Sequence, residues 1–167
     1  ERKNILLLLA VVSIVLLWGF YKALNYYKII LPWWVESPSV LFFYGLLFVI
    51  FDKWAWKYFR KISFIKTPNL IGEWTGHLKT SFDKHSSEIE ATLKIFQTWT
   101  RIKILLTTGQ STSHSETASI VIDAPEGKYL SYQYINEPKP EAVKTMSIHR
   151  GTVRLLFNEK ENTLFGQ

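Results

Sequence analysis

Apolar residues form one unbroken block near the start of the chain. From Ile5 to Phe20 only Ser13 is polar, and the block extends to Leu24. About 20 such residues let a helix cross the roughly 30 Å hydrocarbon core of a bilayer. A secretory signal peptide is the alternative, but its apolar region is only about 7–15 residues long and ends at a small-x-small cleavage site. The pattern therefore predicts a transmembrane helix over about residues 4–24.

A second apolar block predicts a second transmembrane helix over about residues 36–59. Its core, from Val40 to Phe51, is uninterrupted. Two tryptophan pairs flank this core and are separated by about 20 residues, which at a rise of about 1.5 Å per residue is close to the bilayer thickness. Such spacing is typical of the aromatic belts at the two membrane surfaces. The pairs are Trp33 with Trp34, and Trp54 with Trp56.

Positive charge is concentrated in this apolar part of the chain. Residues 1–69 hold nine basic and three acidic residues, whereas residues 70–167 hold eleven of each. Basic residues precede the first helix and follow the second, while the connecting loop has only Lys28, opposed by Glu36. By the positive-inside rule, both termini face the cytoplasm. The net charge of +6 is then explained by membrane topology, without a DNA or RNA polymer as partner.

Three residues of the second block are candidates for a membrane or oligomerisation role. Asp52 and Lys53 are ionisable, and inside a membrane such residues mark contacts between protomers or water-lined paths. They lie within one turn of Trp54, so the interfacial alternative, with side chains reaching the headgroups, is favoured. Gly45 would permit a close approach of helices, but no small residue lies four positions away to complete the motif.

After Lys66 the hydrophobic period falls from 3.6 toward two, which is typical of strands. The segment "EIEATLKIFQ" alternates most clearly, with Ile89, Ala91, Leu93 and Ile95 on one face. The turns that separate the strands are Phe82-Asp83-Lys84, Pro125-Glu126-Gly127 and Glu137-Pro138-Lys139-Pro140. The candidate strands are Leu70–Thr80, Glu88–Gln97, Arg101–Thr108, Glu116–Ala124, Lys128–Asn136, Thr145–His149 and Thr152–Glu159, with a further start at Thr163.

These elements predict a membrane α-hairpin followed by an all-β, antiparallel, minimal β-barrel. The predicted domains are a two-helix transmembrane region, residues 1–66, and a cytoplasmic barrel, residues 67–167. A barrel that stopped soon after Thr163 would leave an unpaired edge strand. We therefore expect one or two closing strands beyond Gln167.

Motifs of catalysis are missing from the sequence. The chain has no phosphate-binding Gly-rich loop, no zinc-protease helix motif and no nucleophile elbow, and it has no cysteine. His77, His85, His114 and His149 are scattered without the spacing of metal ligands. We expect a non-enzyme without a metal or cofactor.

Aromatic, cationic and hydroxyl residues in the barrel region are candidate ligand contacts. Trp99 beside Arg101 offers stacking and a cation, and "SIHRGT" offers a cationic fork and a hydroxyl beside a small glycine. The serine-rich "STSHS" is interpreted as a loop. In "GEWTG" the tryptophan of a Gly-x-Trp opening strand resembles that of lipocalin-type barrels. For this tryptophan we favour a structural plug over a ligand contact. The candidates are Trp74, Trp99, Arg101, Tyr132, Tyr134, His149, Arg150 and Thr152, with Lys94 as a further cation.

The order of these motifs resembles one known family. A two-helix hairpin is followed by "PNLIGEWTG", "TLKIFQTWTRIKI", "MSIHRGTVRLLF" and "TLFGQ". This order is similar to that of the two-transmembrane, β-strand-rich effectors of bacterial CBASS anti-phage systems, the CD-NTase-associated protein 15 family. The resemblance covers nearly the whole chain.

The resemblance implies both a fold and a function. The barrel would be lipocalin-like and would bind a cyclic dinucleotide second messenger made by a partner nucleotidyltransferase during infection. Binding would drive homo-oligomerisation and rearrangement of the helices in the lipid bilayer, disrupting the bacterial inner membrane and killing the infected cell. Two alternatives stay open: a membrane-tethered lipocalin-like module that binds an apolar ligand, and a structural subunit of a membrane complex.

Overall fold

The structure of the chain is a computed structural model that describes residues 1–30, 40–61, 64–79 and 88–166. It forms two compact units, a helical unit of residues 1–66 and a sheet unit of residues 67–167. Several predicted features lie outside the described residues, namely Trp33, Trp34, the start of the second helix at residue 36, the turn Phe82-Asp83-Lys84, and His85.

Helix α1, Arg2–Tyr26, confirms the first predicted helix and extends it by two residues at each end. Its 25 residues reach about 38 Å at a rise of 1.5 Å each. Among the described helices, α1 is the one whose length and composition suit a membrane span, with a mean hydropathy of 2.3. Its polar residue Ser13 is buried, and the hydroxyl donates to the carbonyl of Leu9 at 2.6 Å. The helix therefore satisfies its own polar side chain.

The second helical stretch is continuous from Val40 to Lys61 but changes geometry on the way. It consists of α2, Val40–Ile50, a π-helical turn, Phe51–Ala55, and α3, Trp56–Lys61. Helix α2 packs against α1, and the rings of Phe20 and Phe43 lie 6.0 Å apart. Within the described residues this confirms a second helix, which ends two residues later than predicted.

The aromatic-belt prediction is wrong for one tryptophan. Trp54 is more than half exposed, whereas Trp56 is completely buried. Residues two positions apart point to roughly opposite sides of a helix, so these two indoles do not share a face. Of this pair, Trp54 is the one whose exposure suits a membrane surface.

The sheet unit is one antiparallel sheet that curves into a half-barrel, and each strand pairs with the next along the chain. Strands β1 and β7 are the edges of the sheet that the described residues form. The strands are β1 Gly72–Lys79, β2 Glu88–Gln97, β3 Ile102–Thr108, β4 Ser111–Val121, β5 Tyr129–Pro138, β6 His149–Asn158 and β7 Thr163–Gly166.

Alternation along the strands gives this sheet an inner face that carries the core. In β2, Ala91, Leu93 and Ile95 are buried, while Glu90 and Lys94 are exposed, as the sequence pattern predicts. Burying such side chains stabilises the fold by about 25 cal/mol for each Å² of apolar surface. The buried cluster consists of Leu70, Leu93, Ile95, Ile104, Leu130, Tyr132 and Phe157.

Two predicted boundaries in the sheet are wrong. The "STSHS" segment is the first half of β4, because its inward serine side chains find hydrogen-bond partners on other strands. Thr145–His149 is not a strand; a short 3-10 turn, Pro140–Ala142, is followed by backbone bonds from Thr145 and Met146 back to Ala142. Strand β6 then begins at His149 and runs through Gly151 without bending away.

The predicted turn at Pro125-Glu126-Gly127 is confirmed between β4 and β5. The amide of Gly127 donates to the carbonyl of Ala124 at 3.0 Å, and Gly127 has a φ of +115°. Such a φ is accessible to glycine and strained for other residues. The glycine therefore fixes the turn that sets the register of β4 against β5.

Candidate ligand-binding face

The inner face of β4, β5 and β6 changes from apolar to polar along the strands. Strand pairing places its side chains in four rows: Ile120, Leu130 and Leu155; Ala118, Tyr132 and Val153; Ser115, Tyr134 and Gly151; Ser113, Asn136 and His149. The first row belongs to the apolar end, where residues 67–71 enter the sheet unit. We call Ser113, Ser115, Tyr134, Asn136 and His149 the polar cluster.

Asn136 is the centre of the polar cluster. Its side chain is 5% exposed, and Oδ1 accepts a hydrogen bond of 2.7 Å from the hydroxyl of Ser113, which is 4% exposed. Its Nδ2 donates to the sulfur of Met146 at 3.4 Å. A side-chain amide has two donor hydrogens and two acceptor sites, and sulfur is a weak acceptor. The amide therefore retains hydrogen-bonding capacity for a ligand.

Aromatic rings form one wall of the cluster. The ring of Tyr134 lies 6.2 Å from that of Tyr132 and 6.2 Å from the imidazole of His149, edge to face with the latter. Gly151 lies opposite Tyr134 in the sheet, and a Cβ at Gly151 would be 2.5 Å from the tyrosine Oη. The absence of a side chain at Gly151 thus lets the tyrosine ring lie across β6.

Tyr132 marks the boundary between the two ends of the face. Burial, with a smaller contribution from the neighbouring Tyr134, raises the pKa of Tyr132 from 10.0 to about 12. Desolvation disfavours the charged phenolate, so this hydroxyl stays neutral further into the alkaline range than an ordinary tyrosine. It is available as a neutral donor or acceptor beside the polar cluster.

Lys139 ties together the loops at the polar end. Its Nζ donates to the carbonyls of Thr108 at 2.7 Å and Gly109 at 3.2 Å, and its amide donates to the carbonyl of Gln110 at 2.8 Å. These bonds hold the exit of β5 against the turn between β3 and β4. The ammonium group of Lys139 therefore stabilises the loops at the polar end.

The structure separates the candidate residues of the sequence into three groups. Tyr132, Tyr134 and His149 come together on the inner face. Arg150 and Thr152 alternate with these inward positions and lie on the outer face, where Arg150 Nε lies 3.3 Å from Glu116 Oε2. A shallow depression of about 300 Å³ is lined by residues of both faces, namely Glu116, Gln133, Tyr134, Arg150, Gly151 and Thr152.

The remaining barrel candidates lie away from the polar cluster. Trp74 packs edge to face on Phe157 in the apolar core, with its indole N–H donating to the carbonyl of Leu70 at 3.0 Å. This position fits the structural plug. Trp99 is buried in the turn between β2 and β3, beside the exposed Arg101. Lys94 lies on the outer face, over the ring of Phe96.

Sequence reasoning missed Ser113 and Asn136 because nothing local distinguishes either residue. Serine at every second position from Ser111 to Ser115 was the available signal, since a period of two is typical of one face of a strand. The inner positions of the described strands hold no lysine, arginine, aspartate or glutamate. A ligand on this face would meet neutral groups and His149.

The membrane candidates have different surroundings within the helical unit. Gly45 is exposed, and a Cβ there would meet no atom within 4 Å, so it makes no close helix contact among the described residues. Asp52 and Lys53 lie in the π-helical turn. The ammonium of Lys53 is 5.7 Å from the ring centroid of Trp54, an arrangement that suits the interfacial interpretation.

Two family models match the chain, one for each of its units. Residues 3–57 match a model described as "Cap15, TM helices", and residues 65–167 match "Cap15, cyclic dinucleotide receptor domain". These matches define the class of the protein, which carries a region of transmembrane helices and a receptor domain of the cyclic dinucleotide type. The chain belongs to the Cap15 family.

Two curated relatives carry the name CD-NTase-associated protein 15. The protein from Yersinia aleksiciae is 40% identical over 95 residues, which are 56% of this chain and 44% of that protein. The protein from Staphylococcus schleiferi is 35% identical over 111 residues, which are 66% of this chain and 58% of that protein. The matched regions thus span about half the length of these relatives.

Proposed function

We propose that this protein is an anti-phage CBASS effector that binds a cyclic dinucleotide on the inner face of its sheet unit. The ligand would come from a partner nucleotidyltransferase, and the protein would act as a receptor without catalysing a reaction. The observation that carries the proposal is the polar cluster, which lies within the region that matches the receptor-domain model. In this proposal the sheet unit is a lipocalin-like barrel that surrounds the ligand.

The chemistry of the cluster suits the bases of such a ligand. Each base has a flat face that stacks on aromatic rings and an edge that takes paired hydrogen bonds. Tyr134 and His149 supply the stacking surface, while the amide of Asn136 supplies a donor and an acceptor for a base edge. The two phosphates would be met by hydroxyl groups, backbone amides and the imidazole.

Ligand binding by the full chain in detergent micelles tests this proposal. We expect calorimetry to detect binding from a panel of cyclic dinucleotides that covers purine–purine, purine–pyrimidine and pyrimidine–pyrimidine pairs. Tyr134→Ala should weaken Kd by about tenfold or more, because stacking on an aromatic ring is worth about 1–3 kcal/mol per base. The control Arg150→Ala, on the outer face, should stay within about threefold. No binding to any panel member, or a larger effect of the control, contradicts the proposal.

The proposed response is oligomerisation and disruption of the bacterial inner membrane by the two helices, with both termini and the sheet unit in the cytoplasm. The support is the match of residues 3–57 to transmembrane helices and the apolar length of α1. Liposomes loaded with a self-quenching dye should leak when the full chain receives the cyclic dinucleotide, and cross-linking should show larger oligomers. Leakage that a fatty acid triggers and the nucleotides do not would favour an apolar ligand instead. Constant oligomer size would favour a structural subunit.

A further inference from the structure

The segment that leads into β1 is held by one side chain. Gln97, the last residue of β2, is 9% exposed. Its Oε1 accepts from the amide of Leu70 at 2.8 Å, and its Nε2 donates to the carbonyl of Pro68 at 2.9 Å. Pro68 and Leu70 are both buried. The glutamine amide therefore binds the backbone on both sides of Asn69, and we call this contact the Gln97 latch.

The latch replaces the missing end of a β-ladder. The pairing of β1 with β2 stops at Gly72 and Ile95. Continued by two residues, the same register would place Leu70 opposite Gln97. The glutamine amide carries a donor and an acceptor in one plane, as a strand does, so it satisfies two buried backbone groups that the ladder leaves out.

Leu70 also belongs to the buried cluster that reaches the ligand-binding face. This cluster contains Leu130 and Tyr132, and Tyr134 packs against it. The polar cluster lies at the opposite end of β5, since six residues separate Leu130 from Asn136, or about 20 Å along a strand. The ligand therefore cannot contact residues 68–70 directly, and any effect on them must pass through the packed core.

We propose that Gln97 is a positioning residue that transmits ligand binding from the polar cluster to the chain segment joining the sheet unit to the membrane helices. This inference rests on the proposed function. A ligand that tightens the packing around Tyr132 and Leu70 favours one arrangement of residues 68–70, and the latch fixes that arrangement. A ligand shifts an equilibrium only through its different affinity for the two states, so releasing the latch uncouples binding from response.

Two substitutions separate transmission from simple stability. Gln97→Leu keeps the approximate volume and removes both hydrogen bonds. Gln97→Glu keeps an acceptor for the Leu70 amide but places a second acceptor against the Pro68 carbonyl, so it removes half of the latch. The matched control is Gln110→Leu, the same change at an exposed position in the turn between β3 and β4.

The experiment uses the full chain in dye-loaded liposomes and whichever cyclic dinucleotide of the panel binds the wild type most tightly. For Gln97→Leu we expect Kd within about threefold of the wild type, but about tenfold more nucleotide for half-maximal dye release. Gln97→Glu should need a nucleotide concentration between those of the wild type and Gln97→Leu for half-maximal dye release, and Gln110→Leu should need the wild-type concentration. Hydrogen exchange of the Leu70 amide should accelerate in Gln97→Leu and less in Gln97→Glu, which keeps the acceptor for this amide, while the Ile104 amide stays protected in both.

The outcomes distinguish the latch from the proposed function. Dye release by Gln97→Leu at wild-type nucleotide concentrations overturns the transmission role while the receptor role stands. Equal losses of binding and release, or loss of Ile104 protection, also overturn it, because they indicate a folding role. A wild-type chain that neither binds nor releases dye overturns the proposed function and with it the transmission, even though the exchange of Leu70 still reports the latch.

Discussion

Both ends of the inner face contain buried side chains, but these side chains are chemically opposite. At the apolar end Leu130 is completely inaccessible and packs among other aliphatic side chains. At the polar end Asn136 and Ser113 are almost as inaccessible, yet both carry polar groups. Burying a polar group is unfavourable unless it is hydrogen-bonded, and here the two side chains bond to each other. Burial alone thus identifies the core, whereas buried polarity identifies the candidate site.

The comparison predicts the largest loss of stability at the apolar end. Leu130→Ala should lower the free energy of unfolding by about 2–5 kcal/mol, because it removes buried methyl groups and leaves a cavity. Thermal and denaturant unfolding of the full chain in detergent measure this loss. Val143→Ala, at an exposed position, is the control and should change stability by less than about 0.5 kcal/mol. A small effect at Leu130 would show that this end is not the core.

A substitution at the polar end should affect ligand binding more than stability. Asn136→Ala removes the amide that is proposed to read a base edge, so we expect Kd to rise about a hundredfold, equivalent to roughly 2.7 kcal/mol. The free energy of unfolding should fall less, by about 1–2 kcal/mol, because the variant loses the bond to Ser113 and the weaker bond to the sulfur of Met146. Calorimetry and thermal unfolding on the same preparation separate the two effects. A loss of stability as large as that of Leu130→Ala would assign Asn136 to the core.

The sequence predicts the apolar end better than the polar end. The bounds of β2 agree with the prediction at both residues, since charged and aliphatic positions alternate along it. The serine-rich start of β4 has no such contrast, and its strand character depends on partners such as Asn136, 23 residues away. Contacts of this kind are set by strand register, which a single sequence does not reveal.

The same limitation explains how the structure divides the candidate residues. Neighbours in a strand point to opposite faces, and β6 is one continuous strand, so His149 and Arg150 lie on opposite faces of the sheet. The prediction ended one strand at His149 and began the next at Thr152, which hid this alternation. Gly151, a small residue in the sequence motif, allows the close approach of the Tyr134 ring.

Alkaline pH tests the boundary between the two ends. The pKa of Tyr132 is raised to about 12 in the folded state, against 10.0 for an ordinary tyrosine. Between these values the unfolded chain loses a proton that the folded chain keeps, so stability falls as pH rises through this window, by roughly 3 kcal/mol in total. Below pH 10.0 the full contribution of Tyr132 to the stability of the folded state is present.

Denaturant unfolding across this alkaline range, for the wild type and Tyr132→Phe, measures the effect. In the phenylalanine variant, the free energy of unfolding should fall less steeply with rising pH, because the contribution of Tyr132 is absent. The other tyrosines titrate alike in both proteins. Identical slopes would mean that Tyr132 is hydrated and belongs with the open polar end.

The smallest effect on ligand binding is expected at Gly151, where the polar end depends on the absence of a side chain. Gly151→Ala adds a Cβ that would lie 2.5 Å from Tyr134 Oη, so the tyrosine ring must move away from β6 and from the stacking position beside His149. We expect Kd for the cyclic dinucleotide to rise about tenfold, equivalent to about 1.4 kcal/mol. Gly109→Ala is the matched control, since a Cβ there meets no atom within 4 Å. If Gly151→Ala binds like this control, the position of the Tyr134 ring is not part of ligand recognition, and the polar cluster reduces to Ser113, Asn136 and their immediate neighbours.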